Sequence, residues 1–198
     1  IGVVIFEIAR SEIEYTHQRP DEYSTVVLAA AIKEGYQGPV FLQGDHYQFS
    51  KNKFTLNKDE EIQRIKDLVQ ESLEAQFYNI DIDASTLVDL SQPDVYEQQR
   101  HNFEMTAAIT DFIRSSEPEN KTISIGGEIG HIGGKNSTVE DFEAFMKGYR
   151  QTISDKGLSK ISVQTGSSHG GTVLPDGTLQ KVAIDFNVLK NIGTVARS

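Results

Sequence analysis

The sequence lacks cysteine, long apolar runs and any excess of positive charge, and each absence excludes a class of protein. Without cysteine among its 198 residues, the chain can form neither disulfides nor thiolate metal sites. No apolar run approaches the roughly 20 residues of a membrane-spanning helix, and the amino-terminal segment does not resemble a signal peptide. The formal net charge of −10 argues against broad binding to nucleic-acid phosphates. We therefore expect a cytoplasmic protein that binds neither membranes nor nucleic acid.

Short apolar runs alternate along the chain with longer segments of helical periodicity. The predicted strands are residues 3–8, 39–43, 77–82, 122–125 and 160–164. The predicted helices are residues 21–35, 57–75, 93–115, 138–154 and 185–192. This alternation predicts an α/β fold with a parallel sheet, in one domain spanning residues 1–198. A complete (β/α)8 TIM barrel normally has about 250 residues, so we expect either a fragment of a barrel or an open barrel that lacks its first strand and its last two.

Side chains able to bind a metal or transfer a proton follow four of the predicted strands. Asp45 and His46 follow the second strand, Asp83 the third, Glu128 the fourth and His169 the fifth. The carboxyl ends of neighbouring parallel strands lie together, and this is where such sheets bind their ligands. Imidazoles and carboxylates without thiolates suit Zn²⁺ or another divalent ion. The pattern predicts a metal site at this edge of the sheet.

Each of these residues also has a simpler interpretation. An acid at a strand end often caps a helix or binds a loop, and a single histidine is often an ordinary polar residue. His17, His101 and His131 fit that structural interpretation best. Two glycines, Gly170 and Gly171, follow the histidine of the fifth strand, and their backbone N–H groups could approach a phosphate.

Four segments, in order, resemble motifs of the class II fructose- and tagatose-bisphosphate aldolases, and a helix at residues 184–189 follows them as in that family. The segments are Leu42-Gln43-Gly44-Asp45-His46, Ile82-Asp83-Ala84-Ser85, Gly127-Glu128-Ile129-Gly130-His131-Ile132-Gly133-Gly134 and Gly166-Ser167-Ser168-His169-Gly170. Their family counterparts are Leu-x-x-Asp-His, Ile-Asp-Gly/Leu-Ser, Glu-Leu-Gly-x-x-Gly-Gly and Gly-x-x-His-Gly. Each motif alone is weak, whereas four in the family's order are fairly specific.

The resemblance implies a lyase of glycolysis or related carbohydrate metabolism. Such an aldolase uses Zn²⁺ or another divalent metal, not a lysine Schiff base, to cleave a ketose 1,6-bisphosphate reversibly into dihydroxyacetone phosphate and an aldehyde. Family members are commonly dimers or tetramers, so the resemblance also implies a homo-oligomer.

The resemblance assigns roles by position. Asp45 would be the catalytic acid/base acting on the C4 hydroxyl. Gly170 would bind a substrate phosphate through its backbone. The residues assigned to the metal are His46, His169, Glu128 and Asp83, the last two as alternative or outer ligands.

The sequence departs from the family's pattern at three kinds of position. The family's third metal-binding histidine, in a His-Gly-Gly-Ser segment, and its phosphate-binding Asn-x-Asp-Thr segment have no counterpart among the 198 residues. The glycine-rich loop continues with Lys135 and Asn136 where the family usually brings a carboxylate, and Ala9 stands where the family often has serine. Two alternatives therefore stay open, a non-catalytic sugar-phosphate-binding protein on this scaffold and a metal-dependent sugar-phosphate epimerase.

Overall fold

The described part of the chain is built on one sheet of five parallel strands. The structure, a computed structural model, describes residues 3–130, 135–154, 156–166, 173–179 and 184–197. The strands are β1 (Val4–Ala9), β2 (Val40–Gln48), β3 (Asn79–Asp83), β4 (Ser124–Glu128) and β5 (Lys160–Ser162). They lie in sequential order, and each pairs in parallel with the next. This α/β arrangement, compatible with part of a (β/α)8 barrel, confirms the predicted fold class.

Seven helices connect and flank the strands within the described residues. They are α1 (Arg10–Thr16), α2 (Pro20–Lys33), α3 (Lys51–Leu56), α4 (Lys58–Glu74), α5 (Val95–Ser115), α6 (Val139–Thr152) and α7 (Phe186–Val195). The sequence predicts five of them to within a few residues but neither α1 nor α3. Both are short, and α3 buries no side chain, so neither has the apolar stripe by which helices are recognised. No helix in the described ranges is long and apolar enough to cross a bilayer.

Side-chain caps fix where several helices begin. Asn57, Asp94 and Thr138 each accept a backbone N–H from the first turn of the helix that follows. Asn57 is the predicted cap, whereas α5 begins two residues after Pro93. The predicted capping box of α6 exists, but its partners are Thr138 and Asp141.

The apolar core lies between the sheet and the helices on one of its faces. Ile80, Ile82 and Ile125 are fully buried there, against a cluster that includes Ile65 and Val69 of α4. Burying such a side chain contributes roughly 1.5–3 kcal/mol. Successive side chains of a strand point to opposite faces of the sheet. The strand residues that alternate with these buried isoleucines therefore point to the other face, which we call the inner face.

A bulge in β2 is the main irregularity of the sheet. Between β2 and β3, Gly44 pairs with Ile80 and Tyr47 with Ile82, so two residues of β2 stand opposite one residue of β3. The predicted strand ends at residue 43, and Asp45 and His46 were expected to follow it. That boundary is wrong, because the bulge allows β2 to continue to Gln48 with both residues inside it.

Candidate metal and catalytic site

The bulge places two adjacent side chains, Asp45 and His46, at one site. Neighbouring residues of a regular strand point to opposite faces, so both could not reach the same point without it. His46 adopts a left-handed backbone with φ of 44°, which costs roughly 1–2 kcal/mol for a residue other than glycine. The following residue, Tyr47, is fully buried, and its hydroxyl lies 2.5 Å from that of Ser72. Burial of Tyr47 and its contact with Ser72 therefore stabilise the strained bulge at His46.

Carboxylates from three strands surround the His46 imidazole. Nδ1 lies 2.7 Å from Glu128 Oε1 and 3.5 Å from Asp83 Oδ2. Nε2 lies 3.6 Å from Asp45 Oδ2. The structure therefore brings together four of the residues selected from the sequence. It adds a fifth, because potential ligand atoms of His46, Asp81 and Glu128 all lie within 4.8 Å of one another.

Asp81 and Asp83 lie two residues apart on β3 but have different surroundings. Both oxygens of Asp83 are occupied, Oδ1 by the N–H and hydroxyl of Ser85 and Oδ2 by Gln48 at 2.8 Å. Asp81 is also buried, yet its Oδ1 has no hydrogen-bond partner among the described residues. Asp81 is thus better placed than Asp83 to bind a cation directly. Sequence analysis missed it, although the two-residue period of a strand puts positions 81 and 83 on the same face.

The proximity of these acids shifts their protonation and that of the histidine. Hydrogen bonding to Asp83 and then to Glu128 raises the pKa of His46 to about 11. Burial, together with the negative charges of Asp83 and Asp81, raises the pKa of Glu128 to about 8. Burial also raises the pKa of Asp45, against the opposing effect of His46. Burial would raise the pKa of Asp83 as well, but hydrogen bonds led by that from His46 lower it.

Burial and the neighbouring carboxylates favour a proton on Glu128, and hydrogen bonds to Asp83 and Glu128 favour a proton on the imidazole of His46. A metal cation at the same place would satisfy the carboxylates and displace those protons. The buried Glu128 Oε1 faces His46 Nδ1 at 2.7 Å, whereas Asp81 Oδ1 is buried without a hydrogen-bond partner in the described part of the chain. Buried oxygens in that condition are costly unless something binds them. The donor set of one imidazole and carboxylates therefore fits a divalent ion.

The remaining sequence-selected residues divide into two groups. His169, Gly170 and Gly171 lie outside the described residues, as does His131, so their predicted roles stay predictions. His17 and His101 are exposed, on the turn after α1 and on the surface of α5. Both positions agree with the structural interpretation of these histidines.

A cavity of about 440 Å³ lies between the segments that follow β3 and β4, and none of the five site residues lines it. Ser85, which binds Asp83, forms part of its wall, and Ile129 and Gly130, directly after Glu128, form another part. Lys51 and Lys135 also line it. The cavity therefore adjoins the charged cluster only through Ser85 and through the residues that follow Glu128.

The sequence and the fold both have known relatives. The family of class II fructose-bisphosphate aldolases matches residues 3–196. No curated protein matches the chain significantly. A solved structure described as a probable tagatose 6 phosphate kinase from Sinorhizobium meliloti 1021 superimposes with a TM-score of 0.62 at 16% identity. The match covers 99% of this chain and 50% of that chain, so this chain spans half the length of that structure. At this identity the likeness shows a shared fold.

Proposed function

Because the chain belongs to the class II fructose-bisphosphate aldolase family, we propose that it contributes a metal-assisted aldolase site. The substrate would be a ketose 1,6-bisphosphate, and the products dihydroxyacetone phosphate and an aldehyde. The observation that carries this proposal is the convergence of Asp45, His46, Asp81 and Glu128, with a buried Asp81 oxygen that has no hydrogen-bond partner in the described part of the chain.

His46, Asp81 and Glu128 would hold the divalent cation. His169 is the further ligand that the family motif assigns. Asp83 would orient His46 without binding the cation itself. Its hydrogen bonds to Ser85 and Gln48 fix a carboxylate that lies 3.5 Å from His46 Nδ1. When bound, such a cation supplies Lewis-acid polarisation of the substrate carbonyl.

Asp45 would carry the proton transfer. Its carboxylate accepts the proton of the C4 hydroxyl as the C3–C4 bond breaks. The bond's electron pair moves to C3, next to the carbonyl, and C4 leaves as the aldehyde. Burial raises the pKa of Asp45, which makes its carboxylate a better proton acceptor than an exposed aspartate. Dihydroxyacetone phosphate forms when C3 takes up a proton from water, and Asp45 releases its proton to solvent, so one proton is taken and one is returned in each turnover. In the reverse reaction a protonated Asp45 donates to the aldehyde oxygen.

Phosphate recognition requires positive charge or N–H donors close to the site. The chain's net charge of −10 means that a bisphosphate needs local compensation. Gly170 and Gly171 are proposed to supply backbone N–H groups for one phosphate.

Metal titration and a substrate panel test the proposal together. We expect the chelated chain to bind Zn²⁺ and, when loaded, to cleave at least one ketose bisphosphate. His46→Ala should weaken Zn²⁺ binding on the order of 100-fold or more, whereas His101→Ala removes an exposed histidine and should leave it unchanged. Asp45→Asn should keep the metal and lose cleavage on the order of 100-fold or more.

Three results would redirect the proposal. Cleavage that survives both chelation and His46→Ala would refute a metal-assisted site. Sugar-phosphate binding without turnover would favour the non-catalytic alternative. Isotope exchange beside a carbonyl without bond cleavage would favour the epimerase.

A further inference from the structure

A chain of hydrogen bonds crosses the inner face from β5 to Asp45. Lys160 Nζ donates to Gln43 Oε1 at 2.5 Å, and Gln43 Nε2 donates to Asp45 Oδ1 at 3.3 Å. We propose that Lys160 and Gln43 are positioning residues that fix the orientation of the Asp45 carboxylate. This inference rests on the proposed function only for its catalytic consequence, because the orientation itself can be measured without substrate.

A glycine on β4 makes room for the lysine. Lys160 pairs with Gly126 on the neighbouring strand, yet its ammonium group reaches Gln43 on β2. A Cβ at position 126 would lie 3.0 Å from Lys160 Cε and 2.1 Å from Asp81 Oδ1. Any side chain there would therefore crowd both groups. The bare backbone at Gly126 lets the lysine extend over β4 and past Asp81.

The chemistry of lysine determines which way the Gln43 amide points. An ammonium group has three donors and no acceptor, so it can bind only the carbonyl oxygen of an amide. With Oε1 held by Lys160, the NH₂ group must face the other way. There it donates to Asp45 Oδ1 and, at 3.0 Å, to Glu7 Oε2. If the amide turned over, its oxygen would face two carboxylates, which have no proton to donate when ionised.

Asp45 is thereby held from two sides. Gln43 binds Oδ1, and His46 Nε2 lies 3.6 Å from Oδ2. Misplacing a catalytic group by about 1 Å can cost on the order of 100-fold in rate. A half-buried amide that is itself locked by Lys160 is a direct means of preventing that displacement.

Nuclear magnetic resonance of the metal-free chain tests the orientation directly. In the wild type we expect the Gln43 side-chain NH₂ protons to show contacts to Asp45 and none to the Lys160 side chain. Lys160→Met should allow the amide to turn over, giving an exchange-broadened or doubled signal and a shifted Asp45 carboxyl carbon. Lys160→Arg, which keeps a donor-only cation, should restore the single orientation. An unchanged Gln43 signal and Asp45 shift in Lys160→Met would overturn the proposal.

Kinetics measure the consequence in the metal-loaded chain. Gln43→Met should lower kcat on the order of tenfold while KM changes little, because the change displaces a reacting group and leaves substrate binding intact. Gln63→Met is the matched control, since it removes an exposed Gln–Asp hydrogen bond on α4. Equal rates in Gln43→Met and the control would also overturn the proposal. A wild-type chain without aldol cleavage would refute the proposed function alone, and the spectroscopic result would then decide the inference.

Discussion

Arg10 and Glu61 form a buried ion pair at the end of β2. Arg10 Nη1 lies 3.1 Å from Glu61 Oε1 and also donates to the backbone oxygen of Gln48. The same Glu61 oxygen accepts the N–H of Ser50 at 2.8 Å. Gln48 ends β2 two residues after His46, so this ion pair stabilises the end of the strand that carries Asp45 and His46. Replacing Arg10 by methionine should therefore reduce both stability and metal affinity.

The expected loss of stability follows from the burial of Glu61. Its side chain has no exposed surface, and removing one partner of a buried ion pair costs about 3–5 kcal/mol, since the other charge stays buried. Arg64 Nη1, at 3.4 Å from Glu61 Oε2, compensates in part. We therefore expect a loss of about 3 kcal/mol for Arg10→Met. In a domain of this size that corresponds to a fall of about 6–12 °C in Tm.

Thermal and urea unfolding of the metal-free protein provide the measurement. Adding Glu61→Leu to Arg10→Met removes the stranded carboxylate and should recover most of the lost stability. Arg100→Met breaks the exposed pair with Glu97 and should change Tm little. A loss below about 1 kcal/mol for Arg10→Met, or a double variant less stable than the single one, would refute the reasoning.

Two further predictions concern the cluster of acids. In the metal-free protein the pKa of His46 is raised from 6.5 to about 11, so the stability that its proton provides is fully present below pH 6.5 and is lost as the pH rises toward 11. Urea unfolding at a series of pH values should show this decline, and an equally steep decline in His46→Gln would contradict it. Asp81→Asn should weaken Zn²⁺ binding on the order of 10- to 100-fold in calorimetric titration. Asp83→Asn affecting binding more than Asp81→Asn would reverse the assignment of the direct ligand.

The strands and the long helices could be predicted because their patterns are local. The two-residue alternation of β3 and the apolar stripe of α4 follow directly from which side chains must be buried. The short helices α1 and α3 have no comparable stripe. Their formation depends on contacts distant in sequence, such as that of Arg10 with Glu61. The helix propensities of the individual residues do not reveal those contacts.

The candidate site was predicted in part for a similar reason. Asp45, His46, Asp83 and Glu128 were found because each lies at or near the carboxyl end of a strand. Asp81 was passed over because it lies inside β3, where a charged residue is unexpected. Its significance appears only when Glu128 of the next strand and the bulged His46 are placed beside it. A metal ligand is distinguished from an ordinary acid by its distance to residues of the neighbouring strands. The amino-acid sequence does not specify those distances.

The bulge in β2 and the acids of β3 and β4 make sense only together. The strained backbone of His46 costs folding energy, and so does burying Asp81 with an oxygen that lacks a hydrogen-bond partner among the described residues. Either feature alone would be a defect that a regular strand or a neutral residue could remove. In combination they place one imidazole and the carboxylates of Asp81 and Glu128 around a common point, with Asp45 beside it. A cation that binds there compensates for both costs, because a ligand that binds only the folded chain increases its stability.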